Sequence, residues 1–300
     1  MMNKDLILIF DKLKSKIYFD YDIGKLTWFR TGGRAEIFII VDNISELEII
    51  MNAIKNRTYF ILGYGSNLLV RDSGFKGVVL KLGSGFNNVR IKEDCVEVGA
   101  GTLDINLSKF ALNNQLQGFE FYSGIPGTIG GAVKMNAGCF GSETKDILTG
   151  IEVIDDYYNK KYLNNCELKL KYRSSNIKNN YIITKVFYNY KKGNIDEITE
   201  KIQNIKDKRN ATQPIKNKTS GSTFKNPNNM FAAKLIQDSD CKGLAVGDAL
   251  ISSLHANFII NKGKATATDI ENLGNLVKNR VYKKFNILLD WEIKIIGEKN

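Results

Sequence analysis

Gly124-Ile125-Pro126-Gly127-Thr128-Ile129-Gly130-Gly131-Ala132-Val133-Lys134-Met135-Asn136-Ala137-Gly138 is the stretch on which the reading of this chain turns. Five of its fifteen residues are glycine, and each glycine in a regular element costs roughly 0.5–1 kcal/mol of backbone entropy. A set of tight turns explains two or three of them. A long, flat polyphosphate cofactor lying against bare main chain explains the density better, with Thr128 and Asn136 as polar contacts. By its glycine content the whole interval 118–138 reads as loop.

Around this loop the chain alternates helical and strand signals. Strands are expected over 36–41, 58–62, 78–82 and 95–99, and helices over 45–55 and 103–116. Further strands follow at 151–154, 168–172 and 181–190, with a hairpin through 155–161. A charged helix over 196–209 is the best boundary: it divides a mixed module, 1–194, from a smaller α/β unit, 195–300. The first module subdivides near residue 75. In the second unit a strand at 257–260 precedes a long helix opened by a capping box at Thr268-Asp269-Ile270-Glu271. A last strand spans 287–296, with Leu289, Trp291, Ile293 and Ile295 on one face. The fold class is α+β.

Composition excludes several classes. Lys+Arg 43 against Asp+Glu 32 leaves a net charge of +11, but the lysines are dispersed and no block of like charges forms an interaction tail. That favours an anionic small substrate over nucleic acid. The four cysteines show no CxxC spacing, and with a single histidine, His255, they form no zinc or haem pattern. His255 reads as a packed structural residue and the cysteines as reduced core residues. No apolar run reaches the length of a membrane span. The first fourteen residues suit a short amphipathic helix, not a signal peptide. A cytoplasmic setting is expected.

Other segments carry weaker signals. Gly63-Tyr64-Gly65-Ser66-Asn67-Leu68 follows a strand directly, and its backbone could cradle a phosphate. Leu68 stands where a dinucleotide fingerprint needs glycine, and no GK[ST] ending makes it a Walker loop. Taken alone it is more often only a turn. The segment 219–227 reads as a Ser/Gly turn entering a strand, and Glu292 as a solvated strand residue. Arg173 is a scarce arginine at a strand end, suited to bidentate recognition of a carboxylate or phosphate.

Taken in order, 26–33, 63–70, 123–138, Tyr172-Arg173-Ser174-Ser175, 221–227, His255-Ala256-Asn257-Phe258-Ile259 and 292–297 closely resemble the UDP-N-acetylenolpyruvoylglucosamine reductase (MurB) family. The resemblance covers about residues 24–297 and implies an FAD-binding module of the vanillyl-alcohol-oxidase (PCMH) type over 1–194. It implies a substrate-binding domain over 195–300. The activity implied is NADPH-driven reduction of an enolpyruvyl UDP-sugar to UDP-N-acetylmuramate in peptidoglycan precursor synthesis. The enzyme would act in the cytoplasm as a monomer on a small-molecule substrate, without metal, membrane or nucleic-acid partner.

Carried onto this sequence, the resemblance makes Arg173 and Glu292 stabilisers of an enolic intermediate and Ser222 its proton donor. Gly63, Tyr64, Gly65, Ser66, Asn67, Leu68, Gly127, Thr128, Gly130, Gly131, Asn136 and Ala137 would hold non-covalent FAD. Tyr172, Lys225 and Asn226 would orient substrate. Ser174, Gln237 and Leu254 depart from the residues common in the family. The short interval from Arg173 to residue 181 matches the branch lacking an inserted substrate-capping loop. An oxidase on the same scaffold often tethers FAD through His or Cys near the first glycine loop, and residues 60–75 contain neither.

Overall fold

The computed structural model describes residues 4–299 and divides the chain into two units. The first comprises 1–19, 37–64 and 77–207; the second comprises 20–36, 65–76 and 208–300. The second unit therefore recruits two N-terminal segments that the linear division at residue 194 assigns to the first module. The reason is pairing at a distance: Leu68–Val70 forms a parallel pair with Lys294–Ile296, and Asn261 donates its amide to the Phe29 carbonyl.

Two sheets build the first unit. One has four strands in the order Lys16–Asp22, Arg34–Val41, Phe75–Leu82, Tyr59–Ile61. Helices α1 (Lys4–Phe10) and α2 (Ile44–Ala53) pack on it through Leu6, Phe10, Leu47 and Ile50 against Ile37, Ile39, Val78 and Leu80. The expected subdivision near residue 75 thus falls inside the picture of this sheet, whose last long strand runs to Leu82. Helix α2 starts where Asn43 accepts from the Glu46 N–H at 3.0 Å. Glu46 in turn accepts from the Ser15 N–H and hydroxyl.

The other sheet is antiparallel, in the order Lys160–Asn164, Leu148–Ile154, Ile182–Tyr188, Val96–Gly99, Val89–Ile91. Helices α3 (Asp104–Asn113) and α4 (Ile129–Met135) bury Leu107, Ala111, Ile129 and Val133 with Val98, Ile151 and Val186. Helix α3 is shorter than its apolar spacing suggests, because Leu116 leaves it to pair with Lys192. The glycine-dense interval is not all loop: Glu120–Gly124 is a 3₁₀ turn and α4 carries Gly130 and Gly131. The expected strand at 168–172 does not form: Leu168 ends the short helix α5 (Asn165–Leu168), held by an Asn164–Glu167 capping box, Lys169 caps it in the left-handed region, and Lys171 makes an isolated bridge with Ser174. A long helix, α6 (Ile195–Thr212), follows with Ile198, Ile202 and Ile205 on its buried stripe.

In the second unit, helices α7 (Ala232–Asp238) and α8 (Ala267–Phe285) cover a three-stranded sheet, Ala245–Val246, Ala249–Ile251, Ile259–Asn261. Helix α8 begins two residues earlier than the sequence suggests. Its capping box is Thr266 with Asp269, and Asp72 accepts from the N–H groups of Ala267 and Thr268. That places a carboxylate at the positive end of the helix. The interval 287–296 is not one strand. Only Lys294–Ile296 pairs as a ladder, while Trp291 forms an isolated bridge with Phe224.

Gly274 lies mid-helix in α8, where alanine ordinarily stabilises by about 0.5–1 kcal/mol. Here a methyl group would stand 2.0 Å from the Trp291 ring. Gly274→Ala is therefore expected to destabilise by about 1–3 kcal/mol through overpacking. Urea titration should show a lowered midpoint at unchanged slope; a raised midpoint would contradict the packing.

Candidate active site

In the first unit, backbone approach between the two glycine segments is close. A Cβ on Gly63 would sit 2.7 Å from the Thr128 hydroxyl, and one on Gly130 would stand 3.1 Å from the Ala100 methyl. Gly63 stands two residues past the end of strand Tyr59–Ile61, and Thr128 is buried at the start of α4. Gly131 is exposed. Two loops far apart in sequence thus present adjoining bare main chain. The Gly127 carbonyl accepts from the Asp104 N–H at 3.1 Å.

Asn136 ends α4 in the left-handed region, φ 41°, and its side chain is wholly buried. Its amide nitrogen donates to Glu143 at 2.7 Å and to the Lys171 carbonyl at 3.1 Å, and its oxygen accepts from the Lys145 N–H at 3.0 Å. The side chain is thus engaged with protein on every side, and any cofactor contact here belongs to backbone. Neighbouring Ala137 gives its carbonyl to the Thr144 hydroxyl at 2.9 Å.

The Lys171 carbonyl is one end of a tight turn. Lys171 and Ser174 exchange two 3.0 Å backbone bonds, leaving Tyr172 and Arg173 at the tip. Arg173 has φ 49°, a conformation that costs a non-glycine residue energy. Its guanidinium donates to the Gly138 carbonyl at 3.1 Å and lies 5.0 Å from the centre of the exposed Tyr172 ring. Burial pushes the Glu143 carboxyl up, but bonds from Lys145 and Asn136 and the charges of Lys145 and Arg173 bring it below its ordinary value. The fold therefore brings Arg173 to the end of the glycine-rich segment, although 35 residues separate it from Gly138.

In the second unit, Ser222 and Glu292 sit on neighbouring backbone. Ser222 bridges Phe258, and the Thr223 carbonyl accepts from the Glu292 N–H at 2.9 Å. Asn257 clamps the next residue, accepting from the Phe224 N–H at 3.0 Å and donating to its carbonyl at 2.8 Å. Gly221, φ 76°, has open space where a Cβ would point. The Asn67 side chain donates to the Glu292 carbonyl at 3.1 Å and its backbone carbonyl accepts from the Lys294 N–H at 3.1 Å, so it braces the backbone that carries the carboxylate. Leu68 is buried in its strand, Ser66 is half-buried and Tyr64 is exposed. Gly65, φ 71°, would drive a Cβ to 2.4 Å from the Leu26 carbonyl.

Lys225 donates its N–H to Asp290, and exposed Asn226 accepts from the Ala232 N–H at the start of α7. His255 stacks edge-on against Phe258 at 4.6 Å, and burial lowers its pKa, in keeping with a structural role. An open cavity of about 300 Å³ beside α7 is lined by Phe231, Lys234, Gln237, Lys242, Leu254 and His255. Sequence reasoning missed the clamp of Asn257 and the brace of Asn67. Neither role leaves a local pattern, because each partner lies more than thirty residues away.

Family models match both parts of the chain: residues 35–157 fit an FAD binding domain, and residues 213–296 fit the C-terminal domain of UDP-N-acetylenolpyruvoylglucosamine reductase. The UDP-N-acetylenolpyruvoylglucosamine reductase of Rickettsia rickettsii (strain Sheila Smith) is 44% identical over 97% of this chain and 99% of its own length. The chain belongs to the UDP-N-acetylenolpyruvoylglucosamine reductase family.

The family's Rickettsia akari (strain Hartford) member is 42% identical, again over 97% of this chain and 99% of the relative. The crystal structure of the Thermus caldophilus reductase (MurB) superposes with a TM-score of 0.82 at 34% identity, covering 95% of this chain and 99% of that one. FAD is accordingly the cofactor. The residues present fit it: Gly63 and the exposed Gly131 bring side-chain-free main chain to either side of the Thr128 hydroxyl, and the Ser123 hydroxyl beside this segment is buried without a partner. Among the described residues no cluster of metal-ligating side chains occurs, and no helix is long and apolar enough to cross a membrane.

Because the native Glu143 pKa is lowered, its stabilisation is fully present above the ordinary carboxylate range and is lost as pH falls through the lowered value. Glu143→Gln removes that charge. The difference in Tm between wild type and variant should shrink as pH is taken down through the acid range; a constant difference would contradict the charged contact.

Proposed function

We propose that the chain reduces the enolpyruvyl group of UDP-N-acetylglucosamine enolpyruvate to give UDP-N-acetylmuramate, with NADPH as reductant and Arg173, Ser222 and Glu292 as its catalytic residues. Bound FAD supplies hydride chemistry, taking reducing equivalents from NADPH and delivering them to the enolpyruvyl double bond. Gly63–Leu68 and Gly127–Ala137 hold that cofactor, largely through backbone.

Hydride addition to the terminal carbon of an enol ether leaves an electron pair on the adjacent carbon, conjugated into the carboxylate. The resulting dianionic character calls for a cation fixed in advance, since preorganised charge needs no rearrangement as the reaction proceeds. Arg173 fills that role: its guanidinium is permanently charged, and its turn is held by the Lys171–Ser174 bonds. The Ser222 hydroxyl then gives its proton to the adjacent carbon. A serine is a weak acid, but an enolic carbanion is a strong base, so the transfer is downhill. Glu292 assists in stabilising the enolic intermediate or in proton delivery, and Tyr172, Lys225 and Asn226 orient the substrate.

What supports the serine and glutamate roles is the backbone bond from the Glu292 N–H to the Thr223 carbonyl, which holds Glu292 against the residue that follows Ser222 in the second unit. The reaction belongs to peptidoglycan precursor synthesis, on a UDP-sugar, by a cytoplasmic monomer. In anaerobic stopped flow, Ser222→Ala should leave flavin reduction by NADPH within about twofold of wild type. Reoxidation by the enolpyruvyl nucleotide should slow by about 10²–10⁴-fold, the range of a general acid. Equal loss in both half-reactions would refute the acid role.

A further inference from the structure

The first unit buries a carboxylate that the reaction does not use. Asp104, the first residue of α3, is 0% exposed, and neither of its oxygens has a hydrogen-bond partner. The wholly buried phenols of Tyr122 and Tyr188, from the 3₁₀ turn Glu120–Gly124 and the strand Ile182–Tyr188, belong to the same buried cluster as Leu107 and Ala111 of α3, and a charge on Asp104 would raise the pKa of both. The flanking hydroxyls of Thr102 and Ser108 are buried and also unbonded.

The direction of the hydroxyl chain beside Asp104 follows from its far end. A carbonyl only accepts, so the Thr144 proton goes to the Ala137 carbonyl, 2.9 Å away. Thr144 oxygen must then accept from the Tyr122 hydroxyl at 3.2 Å. With the Tyr122 proton spent, its oxygen accepts from Tyr188 at 2.7 Å. Tyr188 is left with lone pairs and no proton to give. A group completing the chain from the Asp104 side has to be a donor, and a carboxylate has no hydrogen.

We propose that Asp104 is carried as a neutral carboxylic acid, donating toward Tyr188 through one buried water, and that the chain Asp104–water–Tyr188–Tyr122–Thr144 positions the main chain from Gly127 to Ala137. Both ends of the chain rest on that segment: the Asp104 N–H donates to the Gly127 carbonyl, and Thr144 donates to the Ala137 carbonyl. Asp104 is thereby a positioning residue for the backbone that faces FAD, an assignment that rests on the cofactor role given to that segment above. Burial with no offsetting cation raises the carboxyl well above its ordinary range, which agrees with the direction of the hydrogen bonds.

The test uses the FAD-loaded enzyme at neutral pH. The infrared difference spectrum of wild type minus Asp104→Asn should contain the carbonyl stretch of a protonated carboxylic acid; a carboxylate band in its place overturns the proposal. Asp104→Asn, which keeps a donor, should bind FAD within about twofold of wild type. Asp104→Leu and Tyr188→Phe should each weaken FAD about tenfold and shift the visible flavin spectrum alike, the factor expected for one lost buried hydrogen bond. Tyr188→Phe reads the same chain should Asp104→Leu fail to fold. Wild-type affinity and spectrum in Tyr188→Phe overturn the positioning role. Gly131→Trp separates the underlying reading: if it leaves FAD binding intact, the segment does not face the cofactor; if it abolishes binding while Tyr188→Phe does not weaken it, only the relay fails.

Discussion

A buried side-chain amide must spend its hydrogen-bonding capacity inside the protein, and in each unit one such amide organises the backbone near the chemistry. Asn136 reaches three residues in two segments at once, Glu143 and Lys145 in one and Lys171 in the other. Leaving any of those groups unpaired in a buried setting costs about 1–3 kcal/mol. The turn that carries Arg173 is therefore coupled to the end of α4, and the arginine is held by the same atoms that close the glycine-rich segment. Asn257 does the equivalent work in the second unit, saturating Phe224 while Thr223 takes the Glu292 N–H. The side chains proposed as catalytic are each borne by backbone with little freedom to drift.

This rigidity is set against local strain. Arg173 and Asn136 both occupy the left-handed region without being glycine, and Asn tolerates it better than Arg. Strain at an arginine persists only where the surroundings over-determine it. Here the paired Lys171–Ser174 bonds, the Gly138 carbonyl and the Tyr172 ring supply that determination. Close backbone approach has its own demand: Gly63 against Thr128, and Gly65 against Leu26, leave no room for a side chain. The glycines are where two stretches of main chain touch, and the same bareness suits a flat cofactor.

Much of this was legible in the chain alone. The long amphipathic helices α2, α6 and α8 stand where their apolar spacing puts them, and the strands at Arg34–Val41, Leu148–Ile154 and Ile182–Tyr188 follow their β-branched runs. The departures share a cause. Leu116 fits the face of α3 but is claimed by a strand partner at Lys192. Thr266, not Thr268, caps α8, because Asp72 occupies the N–H groups of Ala267 and Thr268 from far away in sequence. Leu289 to Ile293 alternates like a strand, yet its backbone partners are loop residues such as Thr223 and Asp290 meets Lys225.

The ordered set of short motifs was sufficient, through the family resemblance it carries, for the α+β class and the flavin cofactor; the proposed roles of Arg173, Ser222 and Glu292 come from that same resemblance. Those properties are carried by residue type and by order along the chain, which a sequence displays directly. Only the folded chain decided that segments 20–36 and 65–76 join the C-terminal unit, that Asn67 braces Glu292, and that the Asp104 carboxyl is buried with neither oxygen hydrogen-bonded. Those facts depend on which distant donor meets which acceptor once water is excluded, and no local pattern encodes that.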